Sequence, residues 1–219
     1  MKEVNLLDSY PRGKRPLSDN RAGDPKNKAI AKRFDREYFD GDRTTGYGGY
    51  RYDGRWVPVA KRICDYYNLK PGARVLDVGG AKGFLLHDIM QVVPGINVFG
   101  LDVSHYAVEQ SMESVKGGMV VGTARDLPFH DRSFDLVVSI NTIHNLPPDE
   151  CLTAVREIQR VSSAHKYIQV DSWLDDAQRE NISKWVITAE TLYAPDGWRA
   201  LFQKAGYTGD YFWTLTETE

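Results

Sequence analysis

The stretch that most constrains the fold is residues 74–89. It begins with a short apolar run that contains one acid, Asp77, and then breaks into a glycine-rich segment at residues 79–83. Helix-forming residues follow directly from Phe84. This order predicts a strand, a tight turn and the start of a helix, because glycine adopts backbone conformations that other residues avoid. The free N–H groups and partial positive charge at a helix start favour a nucleotide-like or carboxylate-bearing ligand.

The rest of the chain repeats this alternation of strand and helix patterns. Alternating elements of this kind predict βαβ units, and therefore an α/β fold with a doubly wound, mostly parallel sheet. Further strands are expected at residues 96–101, 119–121, 134–140, 165–170, 185–192 and 211–214. Helices are expected at residues 29–39, 58–69, 147–161 and 195–205.

Length and charge limit the classes of function. A chain of 219 residues fits one domain plus an extension, and we expect an N-terminal arm and lid over residues 1–57 and the main domain over residues 58–219. The formal net charge of −2 gives no general attraction for nucleic acid or anionic lipid. No apolar run approaches the ~18 residues of a membrane span, and the start lacks the apolar core of a signal peptide. These features predict a cytoplasmic protein.

Cysteine and histidine usage predicts neither a disulfide nor a metal site. The two cysteines, Cys64 and Cys151, lie far apart in helical patterns, so we expect buried free thiols. No cluster of Cys, His and Asp has the spacing of metal ligands.

The N-terminal extension has two parts. Residues 1–28 are polar and rich in Pro and Gly, which predicts a loosely attached arm. Residues 38–56 interleave aromatic residues, including Tyr47 and Tyr50, with glycines. This second part fits either a strand or packed loop, or a lid that closes over a ligand site and excludes water.

A second acid follows the glycine loop at a characteristic distance. Asp102 ends the strand expected at residues 96–101, about twenty residues beyond the loop, where a carboxylate can accept hydrogen bonds from ribose hydroxyls. A dehydrogenase would carry G-x-G-x-x-G, whereas this loop has Gly79, Gly80 and Gly83 without that spacing. The loop and the acid together therefore indicate a nucleotide-like ligand. The glycine spacing does not match the pattern of enzymes that bind nicotinamide cofactors.

Three sequence blocks in register resemble class I S-adenosylmethionine-dependent methyltransferases. They read VLDVGGAKGF (residues 75–84), GLDVS (residues 100–104) and GTARDLPFHDRSFDLVVS (residues 122–139). The similarity covers most of residues 60–215 and is greatest with the small-molecule group that includes quinone-biosynthesis enzymes. It implies a Rossmann-like methyltransferase domain over residues 58–219, S-adenosyl-L-methionine as the cofactor and a small-molecule acceptor.

The resemblance also implies where the cofactor binds. Asp77 would order the glycine loop and help to hold the methionine ammonium, Asp102 would accept from the ribose hydroxyls, and Val103 would pack on adenine. Asn141 would line the methionine end. The full set of cofactor-binding positions that it marks is Asp77, Gly79, Gly80, Gly83, Asp102, Val103, Thr123, Ala124 and Asn141.

Two positions depart from the family pattern. Ala81 stands where a glycine is common, and a small residue there still allows close approach of a ligand. Thr123 stands where an aspartate often binds the adenine amino group, so that contact either passes to Asp126 or is lost. Ala124 would still offer its backbone to the adenine ring.

The candidate catalytic residues are His144, Tyr47 and Tyr50. His144 lies just past the strand expected at residues 134–140, and its pKa class suits removal of a proton near neutrality. The alternative is that His144 packs at the rim of the site. The two tyrosines are expected to line the acceptor pocket.

These features predict methyl transfer to an oxygen or nitrogen of a small molecule. A cofactor-binding module without catalysis, an RNA methyltransferase with a basic arm and a nicotinamide oxidoreductase are the alternatives. Methyltransferases that act on nucleic-acid amino groups carry an N/D-P-P-Y-type motif, whereas residues 139–142 read SINT. We therefore expect no nucleic-acid or membrane partner.

Overall fold

A six-stranded sheet forms the centre of the computed structural model, which describes residues 1–11 and 21–216. The strand order is β3-β2-β1-β4-β5-β6, and every neighbouring pair is parallel. The predicted doubly wound parallel sheet is confirmed. The strands are β1 (Arg74–Val78), β2 (Asn97–Asp102), β3 (Met119–Val121), β4 (Phe134–Ile140), β5 (Ser162–Asp171) and β6 (Asp210–Thr214).

Helices cover both faces of this sheet. The α-helices are α1 (Pro25–Ala31), α2 (Arg36–Phe39), α3 (Val57–Tyr66), α4 (Phe84–Val92), α5 (His105–Glu109), α6 (Pro148–Val161), α7 (Asp176–Trp185) and α8 (Pro195–Ala205). Short 3₁₀ turns lie at Arg21–Gly23, Lys116–Gly118 and Ile143–Asn145. None of the helices within the described ranges combines the length and hydropathy needed to cross a membrane.

The central strands are apolar because both of their faces are covered. Helices α3 and α4 supply Ile63 and Leu86 to a core on one face, and α6 and α8 supply Ile158 and Phe202 to the core on the other face. Burial of this kind stabilises parallel strands, which read as nearly continuous apolar runs. The strand order reverses between β1 and β4, so a crevice opens at the carboxyl ends of these strands.

Two sequence predictions about secondary structure are wrong. Residues 185–192, expected as a strand, hold only the last residue of α7 and an irregular segment after it. Helix α7 forms because Asp175 accepts a hydrogen bond from the N–H of Gln178 as its N-cap. The single helix expected at residues 29–39 is instead two short helices, because Phe34 between them has a left-handed backbone with φ of 50°.

The start of the chain packs against the sheet, where the sequence predicted a loosely attached arm. Val4 donates its N–H to the carbonyl of Tyr211 at 3.0 Å, and Tyr211 donates to the carbonyl of Lys2 at 3.0 Å. Leu6 is fully buried. This pairing covers the outer edge of β6, which would otherwise present unpaired backbone groups. Residues 12–20 of the expected arm lie outside the described residues.

The two cysteines behave as the sequence predicted. Both Cys64 and Cys151 are buried and free. Burial raises the pKa of the Cys64 thiol to about 11 and that of the Cys151 thiol to about 12. Neither is therefore a thiolate near neutral pH.

Candidate active site

A cavity of about 620 Å³ opens at the carboxyl ends of the strands and extends under the N-terminal segment. It brings together most of the candidate site residues that lie far apart in sequence. Gly83 does not line the cavity. It is the N-cap residue of α4, and a Cβ at this position would lie 2.5 Å from the side chain of Val115. The predicted residues that line the cavity are Tyr47, Tyr50, Asp77, Gly79, Gly80, Asp102, Val103, Thr123, Ala124, Asn141 and His144.

The glycine loop after β1 is held by hydrogen bonds to the end of β2. The N–H groups of Gly79 and Gly80 both donate to the carbonyl of Leu101, at 2.7 and 3.1 Å. The N–H of Ala81 donates to a carboxylate oxygen of Asp102 at 2.8 Å. These three N–H groups therefore stabilise the loop, and an anionic ligand at the loop needs other donors.

Backbone conformation explains the residue types in this loop. Gly79 has φ of 88°, and a Cβ at this position would lie 2.0 Å from Oγ1 of Thr142. Ala81 has φ of 48°, which is left-handed and uncommon for a residue other than glycine. The glycine expected at position 81 from the family pattern would relieve that strain.

Two buried carboxylates face the cavity. Asp77 and Asp102 are 5% and 8% exposed. Burial, with the nearby charge of Asp102, raises the pKa of Asp77 to about 7. Burial also raises the pKa of Asp102, although hydrogen bonds from the N–H groups of Ser104 and Ala81 oppose that shift. Among the described residues neither carboxylate forms a salt bridge, so the pair is complementary to a cationic ligand.

The end of the cavity beyond β2 is apolar. Val103, the residue after β2, is 56% exposed, and Ala124 lies after β3. Thr123 lines the same part of the cavity, where its carbonyl accepts the N–H of Asp126 at 3.2 Å. Asp126 itself is exposed and does not line the cavity. This apolar surface suits one face of a planar ring.

Residues 40–56 form an irregular packed loop over the glycine loop. The rings of Tyr47 and Tyr50 lie 4.5 Å apart, and Tyr50 stacks on Phe84 of α4 at 4.7 Å. Tyr47 remains 42% exposed, whereas burial raises the pKa of Tyr50 well above its usual value. Both phenols therefore stay protonated near neutral pH and form an aromatic wall of the cavity.

A partly buried ion pair joins this loop to the glycine loop. The Nζ of Lys82 donates to a carboxylate oxygen of Asp40 at 2.6 Å and to the carbonyl of Tyr50 at 3.0 Å. Tyr106 donates its hydroxyl to the same oxygen of Asp40 at 2.7 Å. Burial alone would raise the pKa of Asp40, but the hydrogen bonds from Lys82 and Tyr106 hold it below its usual value. The sequence around either residue does not indicate this pair.

His144 is buried at the end of β4 against Asp171, the last residue of β5. Its Nδ1 accepts the N–H of Asp171 at 3.1 Å, and its Nε2 lies 3.6 Å from a carboxylate oxygen of Asp171. Burial lowers the pKa of His144 although the charge of Asp171 opposes this. The imidazole is therefore neutral with its proton on Nε2, because Nδ1 faces a donor.

The described residues contain no group of three or more Cys, His, Asp or Glu that could hold a metal ion. The polar groups that line the cavity include carboxylates, phenols, amides, hydroxyls, guanidinium groups and one neutral imidazole.

Comparison with known proteins relates part of the chain to a described family. Residues 75–164 match the family model described as a methyltransferase domain. These residues are therefore similar to methyltransferase domains, and the parallel sheet around them has the class I methyltransferase fold. The matched residues include β1, the glycine loop, Asp102 and His144, and the rest of the cavity lining comes from segments before and after them.

Similar proteins agree with this assignment. Demethylmenaquinone methyltransferase of Staphylococcus aureus is 29% identical over 152 residues, which are 66% of this chain and 59% of that protein. The chain thus spans less than two thirds of the length of the curated relatives that it matches.

Two solved structures share the fold of the methyltransferase domain. A chain in the complex of the Haloferax volcanii Trm112 methyltransferase activator with a methyltransferase has a TM-score of 0.58 at 21% identity, covering 89% of this chain and 77% of that chain. A SAM-dependent methyltransferase from Aquifex aeolicus has a TM-score of 0.51 at 20% identity, covering 71% and 89%.

Proposed function

We propose that this chain binds S-adenosyl-L-methionine and transfers its methyl group to an oxygen or nitrogen of a small molecule. The observation that carries the proposal is the pair of buried carboxylates, Asp77 and Asp102, in one cavity of a methyltransferase domain. Two acids without a cationic partner favour a ligand that brings a positive charge and hydroxyl donors. S-adenosylmethionine carries an ammonium, a sulfonium and two ribose hydroxyls.

The residues present fit this cofactor from end to end. We assign the ammonium to Asp77, because a cation beside this buried carboxyl would return its raised pKa towards the usual value. Asp102 already accepts two backbone N–H groups, and each of its oxygens can accept a further bond from a ribose hydroxyl. Val103 offers an exposed apolar side chain for adenine, with Thr123 and Ala124 beyond it.

The cofactor supplies an activated methyl group on a sulfonium when it is bound. The protein must then align the acceptor, exclude water and remove a proton from the acceptor. Tyr47 and Tyr50 are assigned to the wall that positions the acceptor and keeps out water. The Lys82–Asp40 pair keeps this wall against the glycine loop.

Proton removal is assigned to His144 together with Asp171. The only lone pair on the ring nitrogens of a neutral His144 faces the N–H of Asp171. A proton from the acceptor therefore passes to the Asp171 carboxylate, and the adjacent Nε2–H of His144 stabilises that carboxylate beforehand. His144 then acts through Asp171 rather than as the first proton acceptor.

Three observations support a small acceptor. Aromatic side chains line much of the cavity, and Trp56 and Trp185 add to the two tyrosines. The Staphylococcus aureus relative is named as a methyltransferase of demethylmenaquinone, which is not a nucleic acid. The net charge of −2 gives no general attraction for RNA.

Calorimetry with S-adenosylhomocysteine tests the cofactor assignment. Asp102→Ala should weaken binding by about 1–3 kcal/mol, the free energy of a hydrogen bond to a charged group. Asp65→Ala is the matched control, because Asp65 is exposed on α3 and does not line the cavity. If the wild-type protein does not bind S-adenosylhomocysteine at high micromolar concentration, the proposal is refuted.

The acceptor class needs a second measurement. The protein is incubated with S-adenosylmethionine labelled in its methyl group and with a cell extract separated into small-molecule and RNA fractions. We expect label in the small-molecule fraction. Label in RNA would support an RNA methyltransferase, and cofactor binding without labelling of either fraction would support a non-catalytic module.

A further inference from the structure

A directed chain of hydrogen bonds ends at the cavity. The hydroxyl of Tyr167 donates to Oε1 of Gln169 at 2.7 Å, and Nε2 of Gln169 donates to Oγ1 of Thr214 at 2.9 Å. The Thr214 hydroxyl then donates to Oδ1 of Asn141 at 2.8 Å. Tyr167 is fully buried, whereas Gln169, Thr214 and Asn141 line the cavity. We call these four side chains the relay.

The direction of the relay fixes the amide of Asn141. The single phenolic proton of Tyr167 has two nearby acceptors, Oε1 of Gln169 at 2.7 Å and the carbonyl of Val4 at 3.2 Å, and the closer one takes it. Gln169 must then donate through Nε2 to the hydroxyl oxygen of Thr214. The Thr214 hydroxyl, which accepts that bond, donates its own proton to Asn141. Oδ1 of Asn141 is thereby occupied, so the group that this side chain offers to a ligand is Nδ2, a pure donor.

Asn141 is held beside the glycine loop. It has a left-handed backbone with φ of 52°, a conformation that asparagine tolerates better than most residues, and its N–H donates to the carbonyl of Gln169 at 2.8 Å. The next residue, Thr142, lies so close to Gly79 that a Cβ on Gly79 would be 2.0 Å from its Oγ1. The amide donor and the loop therefore meet at the same end of the cavity.

This end of the cavity needs a donor. The N–H groups of Gly79 and Gly80 are bonded to Leu101, and that of Ala81 is bonded to Asp102. A carboxylate that enters at the loop therefore finds these three N–H groups already used. An ammonium has the opposite requirement, and Asp77 meets it.

We propose that Nδ2 of Asn141 donates a hydrogen bond to the carboxylate at the amino-acid end of the cofactor, and that Tyr167, Gln169 and Thr214 are positioning residues that orient it. This assignment rests on the proposed function. Two protein groups of opposite chemistry would then bind the amino-acid end of the cofactor. The carboxylate of Asp77 takes the ammonium, and the amide of Asn141 takes the carboxylate.

The test compares two ligands on four proteins by calorimetry. S-adenosylhomocysteine carries both the ammonium and the carboxylate, and its decarboxylated analogue keeps the ammonium and lacks only the carboxylate. The proteins are the wild type, Thr214→Val, Thr214→Ser and Asn141→Asp. Thr214→Val removes the hydroxyl at nearly constant shape, Thr214→Ser restores it, and Asn141→Asp replaces the amide donor with a second acceptor.

We expect Thr214→Val to weaken binding of S-adenosylhomocysteine about 5- to 10-fold, the scale of one net hydrogen bond. Binding of the decarboxylated analogue should be unchanged. Thr214→Ser should bind both ligands as the wild type does. Asn141→Asp should lower the affinity for S-adenosylhomocysteine more than about 10-fold, because the new carboxylate then faces the carboxylate of the ligand. Its affinity for the decarboxylated analogue should not fall.

The possible failures are distinguishable. If the wild type binds S-adenosylhomocysteine but Thr214→Val binds it equally well, the assignment of Asn141 is overturned while the cofactor proposal stands. Equal weakening of both ligands in Thr214→Val would show a general structural role for the relay and would also overturn the assignment. If the wild type binds neither ligand, the proposed function fails and this assignment fails with it.

Discussion

Replacing Asp77 with Asn should make the ligand-free protein more stable at alkaline pH. The buried carboxyl has its pKa raised to about 7 from a usual value of 3.8. The folded state therefore holds this proton more tightly than the unfolded state does. Stability is highest when the group is protonated in both states, and it falls as pH rises from 3.8 through the folded pKa of about 7.

The size of the effect follows from the two pKa values. At pH 5 the shift destabilises the folded protein by about 2 kcal/mol, and at pH 8 by about 4 kcal/mol, using about 1.4 kcal/mol for each pKa unit. The difference in unfolding free energy between Asp77→Asn and the wild type should therefore grow by about 2–3 kcal/mol from pH 5 to pH 8. Groups that titrate identically in both proteins cancel from this difference.

Urea unfolding at several pH values between 5 and 8 measures the prediction, with the unfolding free energy extrapolated to zero denaturant. Asp65→Asn is the matched control, because it makes the same chemical change at an exposed position that does not line the cavity. A constant difference for Asp77→Asn over the same range would refute the conclusion that Asp77 is a buried acid without a cationic partner.

Three further perturbations test other parts of the site. Burial lowers the pKa of His144, so the unfolded chain binds a proton there more readily than the folded protein does. The unfolding free energy should therefore fall as pH drops below the usual pKa of 6.5, and His144→Asn should remove that loss in urea unfolding curves. Lys82→Met should cost about 2–3 kcal/mol because it leaves Asp40 without its cation, and the added change Asp40→Asn should recover part of this in a double-mutant cycle. Strictly additive costs would show that the two side chains do not interact. Gly79→Ala should lower the melting temperature by several degrees or prevent folding, whereas Gly117→Ala, with open space around it, should change little. Equal melting temperatures would contradict the described contact at Gly79.

The sequence patterns that predicted correctly are those whose physical cause is local. Strand β4 and helix α8 follow directly from an apolar run and from a proline start with a glycine stop, so their positions were readable. The glycine loop was readable for the same reason, because only a tight turn explains so many glycines between a strand and a helix.

Helix α7 was missed because its sequence is mostly polar and only Ile182, Trp185 and Asn181 are buried. The available signal was Asp175 followed three residues later by Gln178, which is typical of a helix N-terminus. Its apolar side chains instead matched the start of a short strand pattern.

The contacts between distant segments could not be read from sequence at all. The Lys82–Asp40 pair joins residues 42 positions apart, and nothing near either residue indicates the other. The same holds for His144 and Asp171. Sequence placed the histidine at the end of a strand, but only the fold shows that its Nδ1 is already bonded to a backbone N–H.

The pairing of Lys2 and Val4 with β6 has a consequence for the order of folding. Tyr167, where the relay begins, also accepts the N–H of Leu6 across 161 positions of sequence. Contacts at such separations form late, because a long loop must close before they gain any free energy. During synthesis the early residues must wait for β5 and β6 before they can dock. Because Asn5 and Leu7 line the cavity, that part of its wall therefore depends on strands that lie late in the sequence.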